Sequence, residues 1–162
     1  MTDQELMARA IELAVKNVQA GRGGPFAALV VYDGKILAQG TNLVTSTNDP
    51  TAHAEIVAIR KACQKLGSFQ LTGCEIFATC EPCPMCMGAI YWARPSRVVF
   101  AATRVDAARA GFDDAHIYRQ LRLPHARRNI PIHRLMRPEA QAAFREWRRK
   151  ADRIQYLSLI HI

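Results

Sequence analysis

The chain has 162 residues, 49% of them hydrophobic, with 22 lysines and arginines against 14 acids, a net charge of +8 and five cysteines. That length suffices to bury roughly two-thirds of the unfolded surface around one core, so a single domain over residues 1–156 is expected, with 157–162 a tail of unassigned role. No apolar run approaches the roughly 20 residues needed to cross a bilayer, and the polar, acidic start Met1-Thr2-Asp3-Gln4-Glu5 is not an export signal.

Thr2-Asp3-Gln4-Glu5 has capping-box spacing, and Leu6, Ala10, Leu13, Ala14 and Val18 then recur at helical period, so the first element is a helix. Gly21 to Pro25 ends it. Phe26 to Val31 and Lys35 to Gly40 read as strands of a hairpin turning at Asp33-Gly34. After a polar loop holding Asn42 and Asn48-Asp49-Pro50, a second helix starts near His53 and stops at Gly67, its stripe being Ile56, Ile59, Cys63 and Leu66. Glu75 to Thr79 reads as a buried strand, Pro84 to Tyr91 as a helix stopped by Arg94-Pro95, and Arg97 to Ala101 as another strand. Strands alternating with helices predict an α/β fold, a mixed sheet with helices on both faces. Beyond Gly111 the pattern weakens, and Pro138 to Arg153 is read as a terminal helix. Arg119 to Arg153 carries eleven of the basic residues and three acids, Glu139, Glu146 and Asp152. Such a run either attracts an anionic partner such as nucleic acid or is the solvated face of a surface helix, the commoner case.

An odd number of cysteines, three of them between Cys80 and Cys86, suits metal binding in a reducing cytoplasm better than a disulfide framework. Catalytic zinc takes three nitrogen or sulfur ligands and keeps a position open for water, and His53, Cys83 and Cys86 supply that set. Cys83 and Cys86, three apart at a helix start, bring their sulfurs to one side, where the helix N-terminus favours thiolate. His53 and Glu55 are two apart and share a site only if both lie in a first turn. H-x-E followed by P-C-x-x-C is the signature of zinc deaminases, the glutamate being general acid and base rather than ligand. Cys80 is read as a small buried residue at a strand end, the alternative being a fourth ligand. Cys63 and Cys74 are expected in the core.

Thr51-Ala52-His53-Ala54-Glu55, Cys80-Glu81-Pro82-Cys83-Pro84-Met85-Cys86, Gly88 to Pro95 and Ala110-Gly111-Phe112-Asp113-Asp114 resemble the signatures of the bacterial guanine deaminases of the cytidine deaminase superfamily. The resemblance runs from the first helix to about Tyr156. It implies zinc-dependent hydrolysis of guanine to xanthine and ammonia in purine catabolism, on a three-layer α/β/α fold with a central mixed five-stranded sheet. It also implies a cytoplasmic homodimer whose C-terminal segment swaps between subunits. By the same resemblance Phe26, Asn42, Ala54 and Asp114 would bind the purine and Tyr156 would reach in from the swapped tail; the chain departs from the family pattern in continuing past Tyr156 to Ile162.

Two rivals remain. An adenosine deaminase acting on transfer RNA shares the metal motifs and would use the basic third, although Phe144 and Trp147, the aromatics available there for stacking, are expected to face the core. A non-catalytic Cys₃His zinc module would recruit Cys80. Within the enzyme reading, cytosine or isocytosine is the alternative small substrate.

Overall fold

In the computed structural model, which describes residues 1–156, Thr2 caps helix α1 (Asp3–Gln19): the Glu5 N–H donates to its hydroxyl at 3.2 Å and the Thr2 N–H donates back to the Glu5 carboxylate at 2.8 Å. The α1 stripe that meets the sheet is Leu6, Ala10, Ala14 and Asn17, all buried; Val18, expected there, is 50% exposed. At about 100° per residue, position 17 falls at the centre of the stripe and 18 at its margin. A polar residue thus occupies the place where an apolar one was expected.

Strands β1 (Ala27–Tyr32) and β2 (Lys35–Thr41) form the predicted hairpin, with Asp33 and Gly34 both at positive φ, as the primed turns of two-residue hairpins require. Strand β3 (Cys74–Cys80) pairs antiparallel with β1, and β4 (Arg97–Ala102) pairs parallel with β3, giving the order β2-β1-β3-β4. The sheet is mixed, as expected, but it has four strands among the described residues rather than five. The apolar stretch Ile130-Pro131-Ile132 forms none, its proline lacking the N–H that a ladder uses.

Alternation of side chains along the strands divides the core into two layers. Leu29, Val31 and Phe77 pack with Leu6 and Ala10 of α1 on one face. On the other, Ala28, Val30 and Ile76 pack beneath helix α3 (Ala54–Leu66) and helix α4 (Pro84–Ala93) through Ala54, Ala58, Ala62, Ile90 and Ala93. Complete burial of a side chain such as Phe77 or Leu29 contributes about 1.5–3 kcal/mol. Arg97 ties the margin of this α/β/α arrangement, donating to both carboxylate oxygens of Asp3 and to Glu75. Two further helices were not evident in the sequence: α2 (Val44–Thr47), and α5 (Arg104–Arg109) with its own capping box between Thr103 and Asp106.

Residues 1–114 form one structural unit and those from Ala115 onward a second. The second contains α6 (Ala115–Arg122), a 3₁₀ turn (His125–Arg127) and α7 (Arg137–Arg149). Helix α7 stops short of the predicted Arg153, whose guanidinium instead donates to the carbonyls of Arg148 and Lys150 near the helix end. Phe144 and Trp147, expected in the core, are 59% and 40% exposed; a unit of this size has little interior in which to bury them. The tail from Leu157 to Ile162 lies outside the described residues. Among those described, no helix is long and apolar enough to cross a membrane.

Helix α3 is seated by Gly40 of β2. A Cβ there would stand 2.1 Å from the Ala54 carbonyl oxygen and 2.6 Å from the Ala58 nitrogen, both backbone atoms. Gly40→Ala is therefore expected to destabilise the fold by about 1–3 kcal/mol or more, read as a lower midpoint in urea denaturation; an unchanged midpoint would show that α3 can move off the sheet.

Candidate metal centre

The N-termini of α3 and α4 carry the chemistry. His53 is the N-cap of α3 and Cys83 the N-cap of α4, both with extended backbone, and Pro84 follows at the first helical position, where its missing N–H costs nothing. Glu55 lies in the first turn of α3, the placement its spacing from His53 requires. Cys86 is one turn into α4 and buried. A helix N-terminus carries the positive end of the helix dipole, which favours thiolate, and Cys83 sits at one and accepts the backbone N–H of Cys86.

The Sγ atoms of Cys83 and Cys86 each lie 3.5 Å from Nδ1 of His53, and the three donor atoms fall within 4.8 Å of one another. Tetrahedral zinc with the usual Zn–S and Zn–N lengths holds sulfur and nitrogen about 3.5 Å apart, so the donor set fits zinc in both chemistry and spacing. The Cys83 thiol is held down at about 4, first by the hydrogen bond from Cys86 and then, against the opposing effect of burial, by the bond with His53. The Cys86 thiol, which keeps the shared proton, is pushed up by the same bond and by burial. His53 is raised by its bond with Cys83. Cys80 stands outside the cluster, its thiol directed at the Thr103 carbonyl oxygen at 3.6 Å. A four-ligand Cys₃His knuckle is not what the described residues assemble.

Glu55 is 8% exposed. Burial raises its carboxyl above the ordinary carboxylate range, and it also exchanges a hydrogen bond with Cys86 and feels the charge of Cys83 and His53. A buried carboxyl shifted by desolvation beside a thiol–thiolate pair is the kind of perturbed group that clusters at functional sites.

Around this centre the chain folds back twice. Asn42, buried, has its side-chain oxygen occupied by the N–H groups of Gly24 at 3.2 Å and Val44 at 3.3 Å, so its amide nitrogen is the end left to meet a ligand. Its own N–H donates to the Phe26 carbonyl at 3.0 Å. The Phe26 ring meets Phe112 edge-to-face with centroids 4.9 Å apart. Two residues on, Asp114 is half-buried and within electrostatic reach of Cys83; burial first, and that thiolate second, raise its carboxyl. Ala54 packs its methyl into the core. Tyr156 lies in the second unit, 53% exposed, with its ring edge-to-face on Trp147 at 6.5 Å.

The model of the cytidine and deoxycytidylate deaminase zinc-binding region matches residues 1–102. The chain belongs to this family. Within it, the chain is 51% identical to the guanine deaminase of Bacillus subtilis over 156 residues, 96% of this chain and 100% of that protein. The crystal structure of that guanine deaminase superposes with a TM-score of 0.95 over 97% of this chain and all of that one. The tRNA-specific adenosine deaminase of Bacillus subtilis is 42% identical over 103 residues, 63% of each chain. Similarity to the guanine deaminase thus covers nearly the whole chain, whereas similarity to this tRNA enzyme covers 63% of it.

Sequence reasoning missed Asn17. Its side-chain N–H₂ donates to the Gly24 carbonyl at 3.1 Å and to the Asn42 carbonyl at 2.9 Å. The available signal was a lone asparagine at the centre of an otherwise apolar helix stripe.

With three ligands and Cys80 outside the set, Cys83→Ser is expected to lose bound zinc while Cys80→Ser retains it, measured by atomic absorption after gel filtration. Loss of zinc from Cys80→Ser would restore the four-ligand alternative.

Proposed function

We propose that this deaminase hydrolyses guanine to xanthine and ammonia, in the cytoplasm and as a step of purine catabolism. The observation that carries the reading is the convergence of two helix N-termini on His53, Cys83 and Cys86 with a buried, desolvated Glu55 against them. Those three side chains would hold zinc, which would supply a strongly acidified water at neutral pH.

The chain's own groups do the rest. Glu55 takes one proton from the attacking water and delivers it to a purine ring nitrogen as C2 is attacked; it then takes the second proton from the hydroxyl now on C2 and passes it to the amine, so that the C–N bond breaks, ammonia leaves and the C2 carbonyl forms. Positioned proton transfer of this kind contributes about 10²–10⁴-fold. Asn42, with its oxygen already occupied, donates from its amide nitrogen to an acceptor on the base, and Asp114 accepts from a purine N–H. Phe26, braced by Phe112, packs on the ring, and the Ala54 backbone lies beside it at the start of α3.

The proposal extends to a homodimer that exchanges its C-terminal segment and brings Tyr156 of one copy to the site of the other. What supports this is the apolar surface of the second unit, where Ile130, Leu135, Phe144 and Ile154 are 59–83% exposed, more than a monomer of this size comfortably shows to water. Light scattering is expected to give twice the 18.1 kDa chain mass, and a monomer at micromolar concentration would remove the exchange from the reading.

The basic segment from Arg119 to Arg153 keeps transfer RNA as the competing substrate, so ammonia release from guanine, transfer RNA and cytosine is measured in parallel. Release from guanine alone is expected, and release from RNA with silence on guanine would replace the substrate. Glu55→Gln is expected to retain zinc and lose at least about 10²-fold in kcat; retained turnover would remove Glu55 from its role.

A further inference from the structure

We propose that Asn17 is a positioning residue for substrate selection: from the far end of α1 it clamps the Gly24 and Asn42 backbones together and so fixes which end of the Asn42 amide faces the base. The inference rests on the guanine reading for its kinetic consequence, while its structural core stands on geometry alone.

Three observations converge. Asn17 is fully buried and supplies one NH₂ group to two backbone carbonyls, Gly24 at 3.1 Å and Asn42 at 2.9 Å, which belong to the two loops flanking β1 and β2. The loops touch directly, since a Cβ on Gly23 would stand 2.2 Å from the Asn42 carbonyl oxygen. The Gly24 N–H in turn holds the Asn42 side-chain oxygen. An amide can present either its oxygen or its nitrogen, and the choice follows the hydrogen bonds around it. Here the Gly24 and Val44 N–H groups together set the choice, and Asn17 holds the carbonyl of Gly24 and that of Asn42 itself.

The other end of Asn17 sharpens the point. Among the described residues its side-chain oxygen is buried with no hydrogen-bond partner, an arrangement native structures rarely keep without a reason. A leucine would fill the same space on the α1 stripe without that orphaned oxygen, but it would take the side-chain donor from the Asn42 carbonyl and leave the Gly24 carbonyl with the Phe26 N–H at 2.9 Å. The donor, not the volume, is what the position supplies.

Asn17→Leu in the zinc-loaded full chain tests this, with Asn17→Ser, whose hydroxyl can still donate one bond, as the second variant should the first fail to fold. Amide hydrogen exchange is the substrate-independent readout: protection of the Gly24 and Val44 N–H groups is expected to fall about tenfold or more while that of β1 and α3 and the zinc content stay unchanged. Unchanged protection at Gly24 and Val44 would overturn the clamp whatever the substrate proves to be. On guanine, KM is expected to rise about tenfold with kcat changed little, and Asn17→Leu combined with Asn42→Ala is expected to be no worse than Asn42→Ala alone, because Asn17 acts through Asn42. Additive losses would overturn the assignment of its effect to Asn42. A wild-type chain silent on guanine, with the exchange result intact, would overturn the substrate and leave the clamp standing.

Discussion

Helix α3 lies against β2 so closely that one methyl group on Gly40 would strike the helix backbone, and the centre depends on that approach. The helix can come this near because its facing positions, Ala54, Ala58 and Ala62, recur at four-residue spacing and carry nothing larger than a methyl. Seated there, α3 begins at the rim of the sheet, which puts His53 at its cap and Glu55 one step inside, under cover of the protein. A bulkier contact would lift the helix, and with it both the ligand and the acid. The site is therefore built from a packing choice several residues away from any reacting atom.

The same placement creates the electrostatic strain that the chemistry uses. Glu55 is buried, which disfavours its charge, and faces Cys83, whose thiolate disfavours it further. Without metal, Cys83 is left as a thiolate and the proton between the two stays on Cys86, held there by the bond to Cys83 and by burial. A divalent cation resolves both conflicts together, since it replaces the shared proton and opposes the negative charge gathered between two helix ends. Metal binding and readiness for proton transfer are thus one property of the arrangement.

Much of this was legible in the sequence because it is local. The Thr2–Glu5 capping box, the Asp33-Gly34 hairpin, the first-turn pairing of His53 with Glu55 and the helix start at Cys83 each follow from a few neighbouring residues and one physical rule. What stayed hidden is non-local or marginal. Helix α2 has four residues and no side-chain cap, so nothing in its composition distinguishes it from a loop. Asn17 is meaningful only because Gly24 and Asn42, distant along the chain, come to meet it. The fifth strand was inferred from resemblance, and after β4 this chain turns to helices instead. The exposure of Phe144 and Trp147 cannot be read from helical periodicity, which says which side of α7 is apolar and not what covers it.

All three ligands and Glu55 fall within residues 1–102, which the family model spans, as do Phe26, Asn42 and Ala54, whereas Phe112 and Asp114 lie beyond it. Charge divides further along the chain. Residues 1–114 hold eleven basic and eleven acidic residues, because eleven of the 22 bases and three of the 14 acids come after them. A unit with no net charge offers little long-range attraction to a polyanion, whose binding is driven by neutralising phosphates, but a neutral nucleobase needs none. For such a ligand, selection rests on short-range pairing, where a buried donor or acceptor left unmatched costs about 1–3 kcal/mol. In the proposed reading, Asn42 fixed as a donor and Asp114 as an acceptor near Cys83 would make that kind of discrimination, and an amide free to turn over would not.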